Sequence, residues 1–143
     1  MFEANVSNWM QKYGFGQIKI SCASDFAYNI EEKKIMIGTT AYPQISRYFE
    51  QFLYEFGMEY CGIYDAVLAF LHELGHACTI NMFSGEEQLF CHLTKQFCTI
   101  EDEHEWFDFY WMVPDEFLAN LWVIDFINSN IAAVEELCNN WRD

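Results

Sequence analysis

Two stretches of strict alternation interrupt an otherwise helical pattern of apolar and polar residues. In Gln17–Ala23, Ile18 and Ile20 share one face, and in Lys33–Thr39, Ile35 and Ile37 alternate with Lys34 and Met36. Period-two spacing predicts strands. The polar segment Ser24–Glu32 reads as a connection, so a small antiparallel sheet is expected. Residues 2–13 suit a short helix that Gly14 and Gly16 end. From Pro43 the period changes. Ile45, Phe49, Phe52 and Phe56 recur at steps of three and four, which predicts an amphipathic helix over 43–56. Gly57 and Gly62 bracket a break, after which Asp65 suits the cap of a helix through Ala66–Ile80. Asn81–Gly85 reads as a turn, Glu86–Phe97 as a helix, and Thr99–Glu105 as a charged loop. Pro114 fits the first turn of a helix reaching Asn128, and Ile131–Trp141 is helical in pattern. The expected fold is α+β, a small antiparallel sheet packed with several helices in one domain spanning residues 1–143.

Composition supports one packed domain. Of 143 residues, 52% are hydrophobic and 19% aromatic, well away from a disordered profile. Charge narrows the function: 22 acidic residues against 7 basic give a formal net charge of −15. Such a surface repels phosphates, so direct nucleic-acid binding is not expected; the acid reads first as a solvated face that keeps an aromatic-rich chain soluble, and alternatively as attraction for a basic partner or as DNA mimicry. The start of the chain lacks a basic segment followed by an apolar run, and no apolar stretch is long enough to span a bilayer. The expectation is a soluble, cytoplasmic protein. Six cysteines, none in a C-x-x-C pair, sit in part at apolar helical positions as buried free thiols do; an even count allows a disulfide set, though nothing demands an oxidising compartment, and a cysteine metal site lacks paired spacing.

The chemistry is concentrated in His72-Glu73-Leu74-Gly75-His76. Helical residues four apart lie on one face, so both imidazoles can reach one ion. Zinc suits imidazole nitrogen in tetrahedral geometry. Glu73 stands beside the metal rather than on it, where it can act as general base toward a metal-activated water. Gly75 is costly inside a helix, about 1 kcal/mol relative to alanine. Close approach of another backbone, a sheet edge or a substrate, would require it.

A catalytic site needs a third protein ligand. The pattern H-E-x-x-H-x-x-G-x-x-H fails, because Thr79 and Met82 occupy the last glycine and histidine positions. Glu116, in the first turn of a predicted apolar helix, is the leading candidate, ahead of Glu101, Glu103, Glu105 and His104 in the charged segment. A carboxylate among Phe117, Leu118, Leu121 and Trp122 needs a partner. Asn120, one turn on, can accept from the free ring N–H of a ligating histidine. Tyr110, His104 and His92 are candidate donors to an oxyanion.

HELGHA followed by Glu116, Ala119 and Asn120 as E-x-x-A-N resembles the gluzincin metallopeptidases, closest to the ImmA/IrrE type of bacteria and mobile elements. The resemblance implies a zincin-like core, one Zn2+ per chain on His72, His76 and Glu116, and Glu73 as base. It also implies a bacterial or phage origin and a protein substrate. Leu118 departs from the family's E-x-E-A-N signature, and no helix-turn-helix accompanies the domain, so repressor cleavage is not carried over. The expected function is zinc-dependent hydrolysis of a peptide or protein. The alternative is a non-catalytic acidic binding or inhibitor protein that retains a structural or vestigial zinc.

Overall fold

The computed structural model describes residues 2–38 and 43–141, except for the side chains of residues 43–47. Among the described residues the order is α1 (Phe2–Lys12), β1 (Lys19–Ala23), β2 (Ala27–Asn29), β3 (Lys34–Gly38), α2 (Pro43–Glu55), α3 (Asp65–Thr79), a single 3₁₀ turn at Ile80–Met82, α4 (Gly85–Gln96), α5 (Glu103–Met112), α6 (Pro114–Ser129) and α7 (Ile131–Asn140). The fold is α+β, and no single helix is long and apolar enough to cross a membrane among those residues.

The sheet departs from the antiparallel expectation. Its order is β1-β3-β2; β1 runs parallel to β3, with Ile20 opposite Ile35 and Cys22 opposite Ile37. The segment expected to be only a connection contains β2, which pairs antiparallel with β3 through Ala27↔Met36 and Asn29↔Lys34. The physical reason is local. Lys33 adopts φ 51 and Asn29 Oδ1 accepts from Glu32 N at 3.0 Å, which closes a short hairpin between β2 and β3. That hairpin leaves β1 to join the far edge of β3 as a parallel strand. β3 is then central, and its Ile35 and Ile37 are buried, as their alternation predicts. The predicted end of that strand at Thr39 lies outside the described residues.

The helices follow their apolar faces. In α2, Phe49, Phe52 and Leu53 are buried, and Phe56, just past its end, packs on Phe52 and Phe117. The Ile45 side chain lies outside the described set. Asp65 is the first helical residue of α3 rather than its cap, which is Tyr64 with no side-chain hydrogen bond. The charged segment Thr99–Glu105 is not wholly a loop. Asp102 Oδ2 accepts from Glu105 N at 2.9 Å and caps α5, whose first turn holds Glu103 and Glu105. Acids at a helix start are stabilised by the backbone N–H groups and the dipole. At the other side of the core, the Trp9 indole of α1 donates to Ala133 O of α7 at 2.8 Å.

Helices α3 and α6 approach each other closely at Gly75. A Cβ on Gly75 would stand 2.6 Å from Ala119 O and 3.2 Å from its carbonyl carbon. The backbone that requires this glycine is therefore the neighbouring helix, not a sheet edge or substrate. We predict that Gly75→Ala destabilises the fold. Its gain in helix propensity is about 1 kcal/mol. Forcing two backbones apart costs at least the upper end of about 1–3 kcal/mol. Chemical denaturation should show a net loss of about 2 kcal/mol, and an unchanged or raised midpoint would contradict this packing.

Candidate metal centre

The α3–α6 contact brings His72, His76 and Glu116 together. His72 Nε2 and His76 Nε2 are 3.2 Å apart. Glu116 Oε2 is 3.4 Å from the first and 2.7 Å from the second. Ligand atoms about 2.0–2.1 Å from a tetrahedral ion stand about 3.3–3.4 Å apart. Two of the three separations match this spacing, and the third is tighter. His72, His76 and Glu116 thus form a group that could hold a metal ion.

The surroundings fit a cation. Despite the 2.7 Å approach of His76, no aligned donor reaches Glu116 Oε2, so a buried carboxylate oxygen is left facing two imidazole nitrogens. Asn120 is fully buried, and its Oδ1 lies 2.7 Å from His72 Nδ1. Nδ1–H donates to that oxygen, so that in the neutral ring the lone pair is on Nε2, facing the cluster. Phe49 and Trp111 set their rings edge-on to His72, at 5.4 and 5.6 Å between centroids, and wall it with apolar surface.

The other oxygen of Glu116 is held from behind. Tyr110 donates its hydroxyl to Oε1 at 2.5 Å, and Lys95 Nζ lies 3.6 Å from the same oxygen. Lys95 also pairs with Asp115 Oδ2 at 2.8 Å, while Asp115 Oδ1 accepts from the Glu116 backbone N at 2.8 Å. The two carboxylate oxygens are thereby assigned opposite directions. Lys95 and Asp115 were missed from the sequence, although Lys95 is the one Lys or Arg between residues 48 and 141. A lone cation in so acidic a stretch was the available signal.

Glu73, next to His72, is half-buried. Burial raises its pKa, and His72 and His76 partly oppose the shift. Tyr110 keeps its proton and donates it as a hydrogen bond to Glu116 Oε1, and burial followed by the Glu116 charge pushes its pKa up. His104 does not join them: it is exposed on α5, 3.4 Å from Asp108 and packed on Tyr48. His92 is exposed on α4. Comparison of the chain with protein families, curated proteins and solved structures found no match.

Two predictions follow from the geometry. Without metal, burial pulls the His72 pKa down, but the Glu116 carboxylate outweighs it and raises the value from 6.5 to about 9. A raised folded-state pKa stabilises fully below 6.5, and the contribution is lost as pH rises through about 9. The melting temperature of metal-free protein should therefore fall across that window. A bound cation removes the proton, so metal-loaded protein should show little of this fall. Asn120→Ala should weaken affinity for a divalent metal ion about 10–100-fold in a chelator competition; parent-like affinity would remove Asn120 from the site.

Proposed function

We propose that this chain is a zinc-dependent metallopeptidase of the gluzincin kind, in which His72, His76 and Glu116 of a zincin-like core hold one Zn2+. The observation that carries this reading is the convergence of Glu116 Oε2 on two imidazoles one helical turn apart, with Glu73 close enough to feel both imidazoles electrostatically. Zinc, when bound, supplies a Lewis acid that polarises a peptide carbonyl and lowers the pKa of water toward about 7.

The chain's own residues do the rest. Glu73 takes a proton from the attacking water and returns it to the leaving amine nitrogen, and its burial-raised pKa makes the carboxylate a better base. Asn120 fixes the ring orientation and tautomer of His72. Tyr110 and Lys95 hold Oε1 of Glu116, so that Oε2 alone is offered to the cluster. Of the candidate oxyanion donors, Tyr110 has its hydroxyl committed to Glu116 Oε1, and His104 is exposed on α5 beside Asp108. Six free thiols suit a reducing, cytoplasmic compartment. The −15 charge favours basic peptide or protein substrates.

Elemental mass spectrometry of the purified protein tests the site directly. Zinc near one per chain, lost or much weakened in His76→Ala and Glu116→Ala, is expected. Glu73→Gln should keep zinc while cleavage of a peptide library falls about 10²–10⁴-fold. Absence of zinc after reconstitution would sink the proposal. Equal cleavage by Glu73→Gln would remove the base and favour a non-catalytic zinc protein.

A further inference from the structure

Helix α4 is turned inside out. A surface helix ordinarily directs its apolar stripe at the core. At about 100° per residue, Gln88, Cys91 and Lys95 fall on one side of α4. Leu89, Leu93 and Phe97 fall on the opposite side with Phe90 beside them. The inward side is the more polar one. Gln88 Nε2 donates to Phe83 O at 3.1 Å, and Lys95 pairs with Asp115. The outward side is apolar and open to solvent: Leu89 is 56% exposed, Phe90 64%, Leu93 40% and Phe97 71%. The stripe covers two turns, about 12 Å. Aligned exposed apolar side chains of this kind mark interaction surfaces.

Charge selects the occupant. Between residues 48 and 141 there are 17 acidic side chains and a single Lys or Arg, and that residue, Lys95, is turned inward. Glu86 and Glu87 open the helix, and Glu101, Asp102 and Glu103 follow it. A second copy would bring −15 against −15, and anionic lipid would meet the same repulsion. We propose that the outer face of α4 docks a basic, amphipathic helical segment of another protein. The apolar residues of that segment cover Leu89, Phe90, Leu93 and Phe97, and its lysines or arginines face the acidic margins. This is the helix-on-apolar-face mode, with i, i+4 anchors on both sides. It requires no metal and stands or falls apart from the peptidase reading.

The test uses the full chain and a fluorescent amphipathic Leu/Lys helical peptide, followed by anisotropy at physiological salt. The comparison probe is a scrambled peptide of the same composition without an apolar face. The parent should bind the amphipathic peptide, with and without zinc alike, and amide exchange should slow along α4. Phe90→Ser with Phe97→Ser leaves the charge unchanged and removes two exposed rings. It should weaken binding about tenfold or more while circular dichroism stays that of the parent. Equal binding of the scrambled peptide, or equal binding by the double variant, would reduce the effect to bulk charge and overturn the proposal. Two other outcomes would overturn it in favour of another occupant. One is self-association of the parent, abolished in the double variant by sedimentation. The other is preferential partition onto neutral phosphatidylcholine vesicles.

Discussion

The contact between Gly75 and the Ala119 backbone sets the distance on which the rest of the structure depends. Two helices with side chains at their crossing lie about 8–10 Å apart, whereas a bare Cα lets the backbones close further. His72 and His76 flank Gly75 on α3, and Glu116 and Asn120 flank Ala119 on α6. One glycine therefore sets the reach of two pairs of polar side chains. Glu116 Oε2 arrives within 3.4 Å of both imidazoles, and Asn120 within 2.7 Å of His72. A helix-breaking residue in the middle of a well-formed helix is thus a condition for the site rather than a flaw in it.

Burying that many charges is expensive, and the surrounding polar groups show how the cost is met. Glu116 is held ionised, because the two histidines outweigh the burial that would otherwise raise its pKa. Its far oxygen is occupied by Tyr110 and approached by Lys95, and Lys95 is in turn neutralised by Asp115. A cation placed among the three ligand atoms would meet a carboxylate whose orientation is already fixed, so little side-chain freedom remains to be lost on binding.

Legibility in the sequence varied with how local the determining forces were. The His72–His76 pair and the helix carrying Glu116 were readable because spacing on a helix fixes which side chains share a face. The parallel pairing of β1 with β3 was not, since it depends on a three-residue strand, Ala27–Asn29, too short to show any alternation. The start of α5 was hidden for a different reason. Its acids Glu103 and Glu105 look like a solvated run until Asp102 is seen to cap them. Helix α4 was legible as a helix but not in its orientation. Its inward side carries two polar anchors, Gln88 and Lys95, and the small buried Cys91 rather than its large apolar residues. Each miss comes from a pairing or anchor that local periodicity does not encode.

The hydrogen bond from the Trp9 indole to Ala133 O joins residues 124 positions apart. Closing a loop of that size costs chain entropy before any contact repays it. During synthesis α7 emerges more than a hundred residues after α1, so Trp9 waits for its hydrogen-bond partner while all the intervening elements are made. Helix α1 is thus locked only after α7 has been made. The growing chain carries that unlocked helix as a window of vulnerability to aggregation, one that closes with the arrival of α7.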